Sequence, residues 1–315
     1  NEKTKIMKDF EGLLELASLN CDVVVSGISG LAGLMPAYAA LSNGNHIAIA
    51  NKEPLVVAGT LLKDCSKKNN AKILPVDSEH NSIFQCFDSN QRKNISHITL
   101  TASGGPFLNR SLDSICNVTV EEALKHPNWK MGNKVSIDSA TLINKALEVI
   151  EAGCLFELKA NQIKVVIHPE SIIHGLVHYK DGSVLANLAL PDMISPLSVA
   201  IGYPERYNLD LPILNLVEIS QLNFLKPDLK KFPGLNFGWL ALNEPNYFSI
   251  ILNASNEIAV DLFLRKRIKF TSIVKIIDKC LNEQNFNSAN NLEEILEIDK
   301  MSRIFAKKIS EKFYV

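Results

Sequence analysis

The chain lacks any CxxC pair: its six cysteines, Cys21, Cys65, Cys86, Cys116, Cys154 and Cys280, are scattered. That spacing argues against structural zinc and reads as reduced thiols in a reducing compartment. Charge of one sign is also lacking, with 33 Lys and Arg against 34 Asp and Glu and no long block of either. An electrostatic footprint for nucleic acid or an anionic membrane is therefore missing, and small-molecule chemistry is the better default. Long hydrophobic runs are missing as well. Stretches such as "ISGLAGLMPAYAAL" are broken by Gly and Pro and fall short of the roughly 18–20 residues of a membrane-spanning helix. The chain opens on Asn1 rather than Met, and its polar-then-helical start reads like the middle of a longer sequence, so a preceding segment is expected.

What is present suits a sizeable core. At 46% apolar and 21% charged over 315 residues, one large or two to three smaller domains are expected. "KDFEGLLELASL" repeats apolar residues at helical spacing, and "CDVVVSGISG" is a β-branched strand running into a Gly turn. "GLMPAYAALSNG" reads as a helix capped by Asn43 and Gly44, "NHIAIAN" as a strand, "PLVVAGTLLKDCSKKNN" as a helix and "AKILPV" as a strand. This alternation predicts a parallel sheet with crossovers, whose function gathers beyond the strand carboxyl ends at "VSGISG", "ANKE" and "VDSEH". From about 95 to 212 the pattern turns antiparallel, with a hairpin at Asp181 and Gly182 and a single helix over "SATLINKALEVIEAG". Residues 213–238, with Pro227, Pro233, Gly234 and Gly238, read as a connector, and 239–315 as a small helical bundle.

Within "ILPVDSEHNSIFQ", residues 73–85, an apolar run ends in Asp77, Ser78 and Glu79. Two carboxylates so close repel each other and are costly to bury without compensation. In an extended segment residues two apart share a face, so Asp77 and Glu79 would offer oxygen ligands to a hard divalent cation. A solvated turn leading into a helix capped by Asp77 or Ser78 explains the stretch as well. "SIDSATLINKALEVIEAG", residues 136–153, reads as one helix with Asp138 or Ser139 as N-cap and Gly153 as stop. Asn144, Lys145 and Glu148 share one of its faces. That face is either surface decoration or a phosphate site, with Ser139 at the helix N-terminus and Glu148 as a third metal carboxylate.

Three further stretches read two ways. "TASGGPF", 101–107, brings a strand into two glycines that serve close ligand approach or a tight turn. "HPNWKMGNK", 126–134, is an irregular loop whose Trp129 either closes a lid or packs on a neighbouring domain. "ANKEP", 50–54, puts a polar triplet at a strand end, where α/β sheets place catalytic residues. His174 and His178 fall on one strand face, as a transition-metal pair or a cross-strand surface pair.

Taken in order, "ANKE", "VDSEHNSIFQ", "SGGPF", "HPNWKMG", "DSATLINKALEVIEA" and "HPESIIH" resemble the 1-deoxy-D-xylulose 5-phosphate reductoisomerase family over nearly the whole chain. The resemblance implies NADPH- and divalent-metal-dependent conversion of 1-deoxy-D-xylulose 5-phosphate to 2-C-methyl-D-erythritol 4-phosphate in the non-mevalonate route to isoprenoids. It assigns Asp77, Glu79 and Glu148 to Mg2+, Mn2+ or Co2+. Ser103, Ser139, Asn144 and Lys145 match the phosphate-side and hydroxyl contacts of the substrate, and Ser78 and Lys52 its backbone contacts. His126 and Trp129 match a flap over the substrate, with His174 nearby, while Asn51, Glu53 and Gly132 match positions touching NADPH. Lys52, Glu79, His126 and Glu148 are the catalytic candidates.

The implied architecture is an α/β N-terminal part with an incomplete Rossmann-like parallel sheet, an α+β catalytic domain and a small α-helical C-terminal domain. These fall at 1–77, 78–212 and 239–315, with the connector at 213–238. A homodimer is implied, with no nucleic-acid or membrane partner, in a bacterial cytoplasm or a plastid-type stroma. The family's Gly-rich nucleotide turn has no counterpart here, and "SGISGLAGL" at 26–34 resembles a later strand end, so that turn is expected in the preceding segment. The competing readings are a metal-dependent sugar-phosphate hydrolase or aldolase without hydride transfer, and an inactive truncated form.

Overall fold

Three short apolar runs form the parallel sheet that their spacing predicts. The computed structural model describes residues 5–315, so the first four residues of the polar opening lie outside the described residues. Helix α1 (Asp9–Ala17) leads to β1 (Val23–Ser26), α2 (Leu34–Ser42), β2 (His46–Ile49), α3 (Glu53–Lys68) and β3 (Ile73–Pro75). The strands lie in the order β1-β2-β3, with Val23 opposite His46 and Ile47 opposite Ile73. Ile47, Ala48 and Ile49 are all buried: Ile47 and Ile49 join the main core on the α2 side, and Ala48 packs on the other face with Leu74, Leu197 and Ala200. Asn43 caps α2, and Gly44 takes the left-handed φ of 82° that turns the chain into β2.

The chain then continues through α4 (Ser78–Cys86), β4 (Ile95–Ala102), α5 (Leu112–Ile115), α6 (Val120–Ala123), α7 (Asn133–Thr141) and α8 (Ile143–Phe156). After these come β5 (Ile163–Ile167), β6 (Ile173–Tyr179) and β7 (Val184–Leu188). The second sheet has the order β5-β4-β6-β7, and the β6–β7 hairpin turns at Asp181 and Gly182 as expected. The antiparallel expectation needs one correction: β5 runs parallel to β4, because the chain returns to β4 through the α5–α8 crossover rather than a hairpin.

The single helix expected over 136–153 is two. Leu142 adopts a left-handed conformation (φ 57°, ψ 13°) between α7 and α8 and is buried there, so packing overrides the helical preference of the local sequence. Asp138 and Ser139 therefore lie inside α7, whose N-cap is Gly132. Nor does Gly153 stop α8, which runs to Phe156. A Cβ at position 153 would lie 2.5 Å from Leu242, so that glycine is there for close packing.

Beyond β7 lie α9 (Ile194–Gly202), α10 (Leu216–Ile219), α11 (Asn236–Ala241), α12 (Tyr247–Leu264), α13 (Ser272–Glu283) and α14 (Leu292–Ser310). The stretch read as a connector carries the short α10 and a bridge from Leu225 to Ile167. Helix α12 is the centre of the C-terminal bundle: Ile250, Ile251, Leu252 and Val260 are buried, and the helix packs on α13, α14, α3 and α7. The C-terminal helices thus share one core with both sheets.

Candidate active site

Asp77, Ser78 and Glu79 stand where β3 ends and α4 begins. Asp77 is the N-cap of α4, while Ser78 and Glu79 are its first two residues, so the expected extended pair is corrected to a cap and a first-turn side chain. Their two carboxylates still converge, because the third comes from α8. Ligand oxygens of Asp77, Glu79 and Glu148 lie within 4.8 Å of one another.

Compensation comes from two lysines distant in sequence. Lys52, before the first turn of α3, lies 2.5 Å from Asp77 Oδ2 and 3.4 Å from Glu148 Oε1, and donates to Asn144 Oδ1 at 2.8 Å. Lys145 lies 2.6 Å from Glu79 Oε1 and 2.5 Å from Glu148 Oε2. Asn144 Nδ2 donates to Glu148 Oε1 at 2.5 Å, and Ser78 Oγ to Glu79 Oε2 at 2.6 Å.

The electrostatics follow from this crowding. Burial and then the charge of Glu79 push the Glu148 carboxyl up to about 7. For Glu79 burial acts in the same direction, but Lys145 outweighs it and holds the group well below the usual carboxylate range. Burial opposes the charge on Lys52, yet Asp77 and Glu148 raise its pKa well above the ordinary value, so it stays cationic.

An all-oxygen donor set of this size fits a hard divalent cation. Asp77 Oδ2 is buried and has no hydrogen bond, since Lys52 approaches it closely without hydrogen-bonding geometry. An acceptor left in that condition is what an ion would satisfy.

Around the carboxylates is a cavity of about 130 Å³, lined by Lys52, Ser78, Ser103, His126, Trp129, Ser139, Asn144, Lys145 and His174 among others. The cavity is open to solvent on one side, where the loop carrying His126 and Trp129 forms part of its wall. That loop runs between α6 and α7. His126 Nδ1 accepts from the backbone N–H of Asn128 at 3.2 Å and of Trp129 at 3.0 Å, so Nε2 carries the proton and donates to Ser103 Oγ at 2.9 Å. Burial lowers the pKa of His126, keeping that ring neutral near pH 7. Trp129 meets His174 edge-on at 6.1 Å, and Asn128 Nδ2 donates to Pro169 O at 2.6 Å.

Ser139 reaches the cavity from the last turn of α7, not from a helix N-terminus, and its carbonyl crowds Gly105. Gly105 has φ 66°, and a Cβ there would lie 2.8 Å from Ser139 O. Gly105→Ala is therefore expected to lower stability by about 1–3 kcal/mol and to displace Ser139. An unchanged thermal midpoint would show that the turn relaxes freely.

Asn51, Glu53 and Gly132 do not line this cavity. Asn51 follows β2, and its buried Nδ2 has no partner although Oδ1 accepts from Ser26 Oγ at 3.2 Å. Glu53 opens α3 and is bound by Lys134 at 2.6 Å, while a Cβ at Gly132 would meet open space. An orphaned donor beyond a parallel strand and an uncrowded backbone beside it fit a nucleotide.

His174 and His178 form no metal pair. His174 Nε2 is 3.3 Å from Ala189 O, whereas His178 stacks on His97 at 4.1 Å and contacts Thr99 Oγ1 at 3.0 Å. Sequence reasoning missed His80 and Glu151, which lie behind the carboxylates. His80 Nε2 donates to Glu148 O at 2.9 Å and Nδ1 lies 3.1 Å from Glu151 Oε2; burial opposes its charge, but Glu151 raises the pKa to about 9. Their spacing was a usable signal, since each stands three residues after a metal candidate, His80 after Asp77 at the cap of α4 and Glu151 after Glu148 on α8.

Comparisons with known proteins point to one family. The family model described as 1-deoxy-D-xylulose 5-phosphate reductoisomerase matches residues 1–59, and that of its C-terminal domain matches 73–156. A further DXP reductoisomerase C-terminal domain model matches 188–305. The 1-deoxy-D-xylulose 5-phosphate reductoisomerase of Clostridium tetani is 49% identical over 99% of this chain and 81% of its own length. That of Pelodictyon phaeoclathratiforme is 47% identical over 98% and 81%. Among solved structures, the Zymomonas mobilis reductoisomerase in complex with NADPH superposes with a TM-score of 0.90 at 40% identity, covering 96% of this chain and 78% of that one. A DOX-P reductoisomerase in complex with NADPH, fosmidomycin and magnesium gives 0.92 at 44%, covering 96% and 79%. With three family models and near-complete coverage by relatives of this identity, the chain belongs to the 1-deoxy-D-xylulose 5-phosphate reductoisomerase family.

Proposed function

We propose that the chain carries out the NADPH- and divalent-metal-dependent isomerisation and reduction of 1-deoxy-D-xylulose 5-phosphate to 2-C-methyl-D-erythritol 4-phosphate. The observation that carries this reading is the convergence of three carboxylates with polar and cationic donors in one cavity beyond a parallel sheet. Asp77, Glu79 and Glu148 would hold Mg2+, Mn2+ or Co2+, and Asn51, Glu53 and Gly132 would face NADPH. When bound, the ion supplies charge stabilisation at the ketone and neighbouring hydroxyl oxygens, and the nicotinamide supplies hydride.

The chain's own residues do the rest. Ser103, Ser139, Asn144 and Lys145 anchor the phosphate and hydroxyls, so binding energy remote from the reacting carbons is used for orientation. Lys52 and Ser78 contact the carbon backbone; Lys52 is held cationic and supplies a fixed positive charge. Neutral His126 presents its Nε2 proton to the site, and Trp129 closes over it and excludes water. We also place the chain in a homodimer. In support, β7 is a sheet edge with half-exposed Val184 and Leu185, and Ile213 and Val217 beyond it are 92% and 87% exposed. A cytoplasmic site is consistent with the unpaired cysteines, and among the described residues no helix is long and apolar enough to cross a membrane.

The test is consumption of NADPH that requires both the deoxyxylulose phosphate and a divalent ion. A sugar-phosphate hydrolase or aldolase with the same carboxylates would consume the sugar and leave the nucleotide untouched. Chelation of the ion is expected to stop turnover, and readdition to restore it.

A further inference from the structure

A second buried charge group joins elements that the chemistry leaves unconnected. Lys134 lies in the first turn of α7, two residues beyond Gly132. Its Nζ donates to Glu53 Oε1 at 2.6 Å and lies 3.0 Å from Asp138 Oδ2. The other Asp138 oxygen accepts from Asn256 Nδ2 of α12 at 2.8 Å. Glu53, Asp138 and Asn256 are 5%, 1% and 0% exposed. The next residue of α12, Glu257, accepts from Arg303 of α14 at 2.6 Å and lies against Gly30, where a Cβ would come within 3.0 Å of its Oε1. The C-terminal helices therefore touch the cofactor-side loops and the base of α7 at once.

Two buried carboxylates share one ammonium here. Burial disfavours ionisation of both: for Glu53 the Lys134 charge prevails and lowers the pKa, while for Asp138 burial prevails and raises it. Removing the cation alone would leave Glu53 and Asp138 facing each other between α3 and α7, the circumstance in which a broken buried pair is most damaging. The strain would be released in the irregular loop that enters α7, which has no helical or ladder hydrogen bonds to hold it.

We propose that Lys134 is a positioning residue: it pins the first turn of α7 to Glu53 and, through Asp138, to Asn256 of the C-terminal helix, and so sets where the 126–132 loop hangs beside the cofactor-side strand end. Its importance for turnover rests on the proposed function, but the restraint itself belongs to the ligand-free chain. A pair that only adds stability would loosen the whole molecule when removed; a positioning pair loosens two segments.

Hydrogen exchange on the full ligand-free chain separates these. Lys134→Met is expected to speed exchange about tenfold in peptides covering 126–137 and 50–58, with α13 and β4 unchanged. Lys134→Arg, which keeps the charge, is expected to restore the original pattern. Asn256→Ser, which keeps all three charges and shortens the neutral link, is expected to give a smaller rise in 126–137 alone. Unchanged exchange in those segments, an equal rise in α13 and β4, or failure of Arg to restore order would each overturn the proposal. Absence of turnover by the unaltered chain would sink the proposed function and leave the exchange result standing.

Discussion

Glu148→Gln is expected to abolish metal-dependent turnover while the fold survives. Glu148 is fully buried on α8, and burial with the neighbouring Glu79 pushes its carboxyl up to about 7. A neutral amide of the same volume relieves the repulsion from Glu79 but turns its NH2 towards a donor, since Oε1 accepts from Asn144 and Oε2 from Lys145, so stability is expected to fall by about 1–3 kcal/mol with the fold intact. Ligation is another matter. An amide brings no negative charge to the ion, and only Asp77 and Glu79 would remain to hold it. Charge stabilisation by a bound metal is worth several kcal/mol, so kcat is expected to fall by roughly a thousandfold or more. Steady-state kinetics with a thermal melt of the same preparation checks both halves. Turnover close to that of the unaltered chain would sink the three-carboxylate assignment.

Much of the candidate site was legible because its residues fall at a strand end and on one helix face; the helix-face spacing survives folding, whereas the extended spacing read for Asp77 and Glu79 does not. Asp77 and Glu79 follow β3, and Asn144, Lys145 and Glu148 project together from α8, as their spacing required. What compensates the carboxylates was not legible. Lys52 is 96 residues from Glu148 and Lys145 is 66 from Glu79, and no local pattern announces such pairs. The break at Leu142 was hidden for the opposite reason: leucine favours helix, so only the tertiary fit that buries it there can impose a left-handed turn. Gly153 misled in the same way, since a glycine demanded by Leu242 reads in sequence as a helix stop. The parallel β4–β5 pair depended on the crossover, which strand composition does not encode.

Lys145→Ala is expected to raise the KM for the sugar phosphate and leave metal binding no weaker. The Nζ of Lys145 sits between Glu79 and Glu148, within 2.6 and 2.5 Å of their oxygens, so in the ligand-free chain it occupies part of the space an ion would take. Its burial opposes the charge, but the two glutamates raise its pKa above the ordinary value, so it remains an ammonium. In the function proposed above, an ion that takes over the glutamates would free this ammonium for an incoming phosphate. A charge-assisted hydrogen bond of this kind contributes about 1.5–3 kcal/mol, which corresponds to roughly a 10- to 150-fold rise in KM when it is lost. Without metal, the same substitution leaves the buried Glu148 and the part-exposed Glu79 short of their shared cation, and stability is expected to fall by about 2–4 kcal/mol. Saturating Mg2+ should recover most of that loss, because a ligand bound only by the folded state stabilises it in proportion to its binding free energy. Two melts, with and without Mg2+, read this directly. A KM unchanged by the substitution would remove Lys145 from the phosphate site, and a melt insensitive to Mg2+ would remove the ion from the glutamates that Lys145 now bridges.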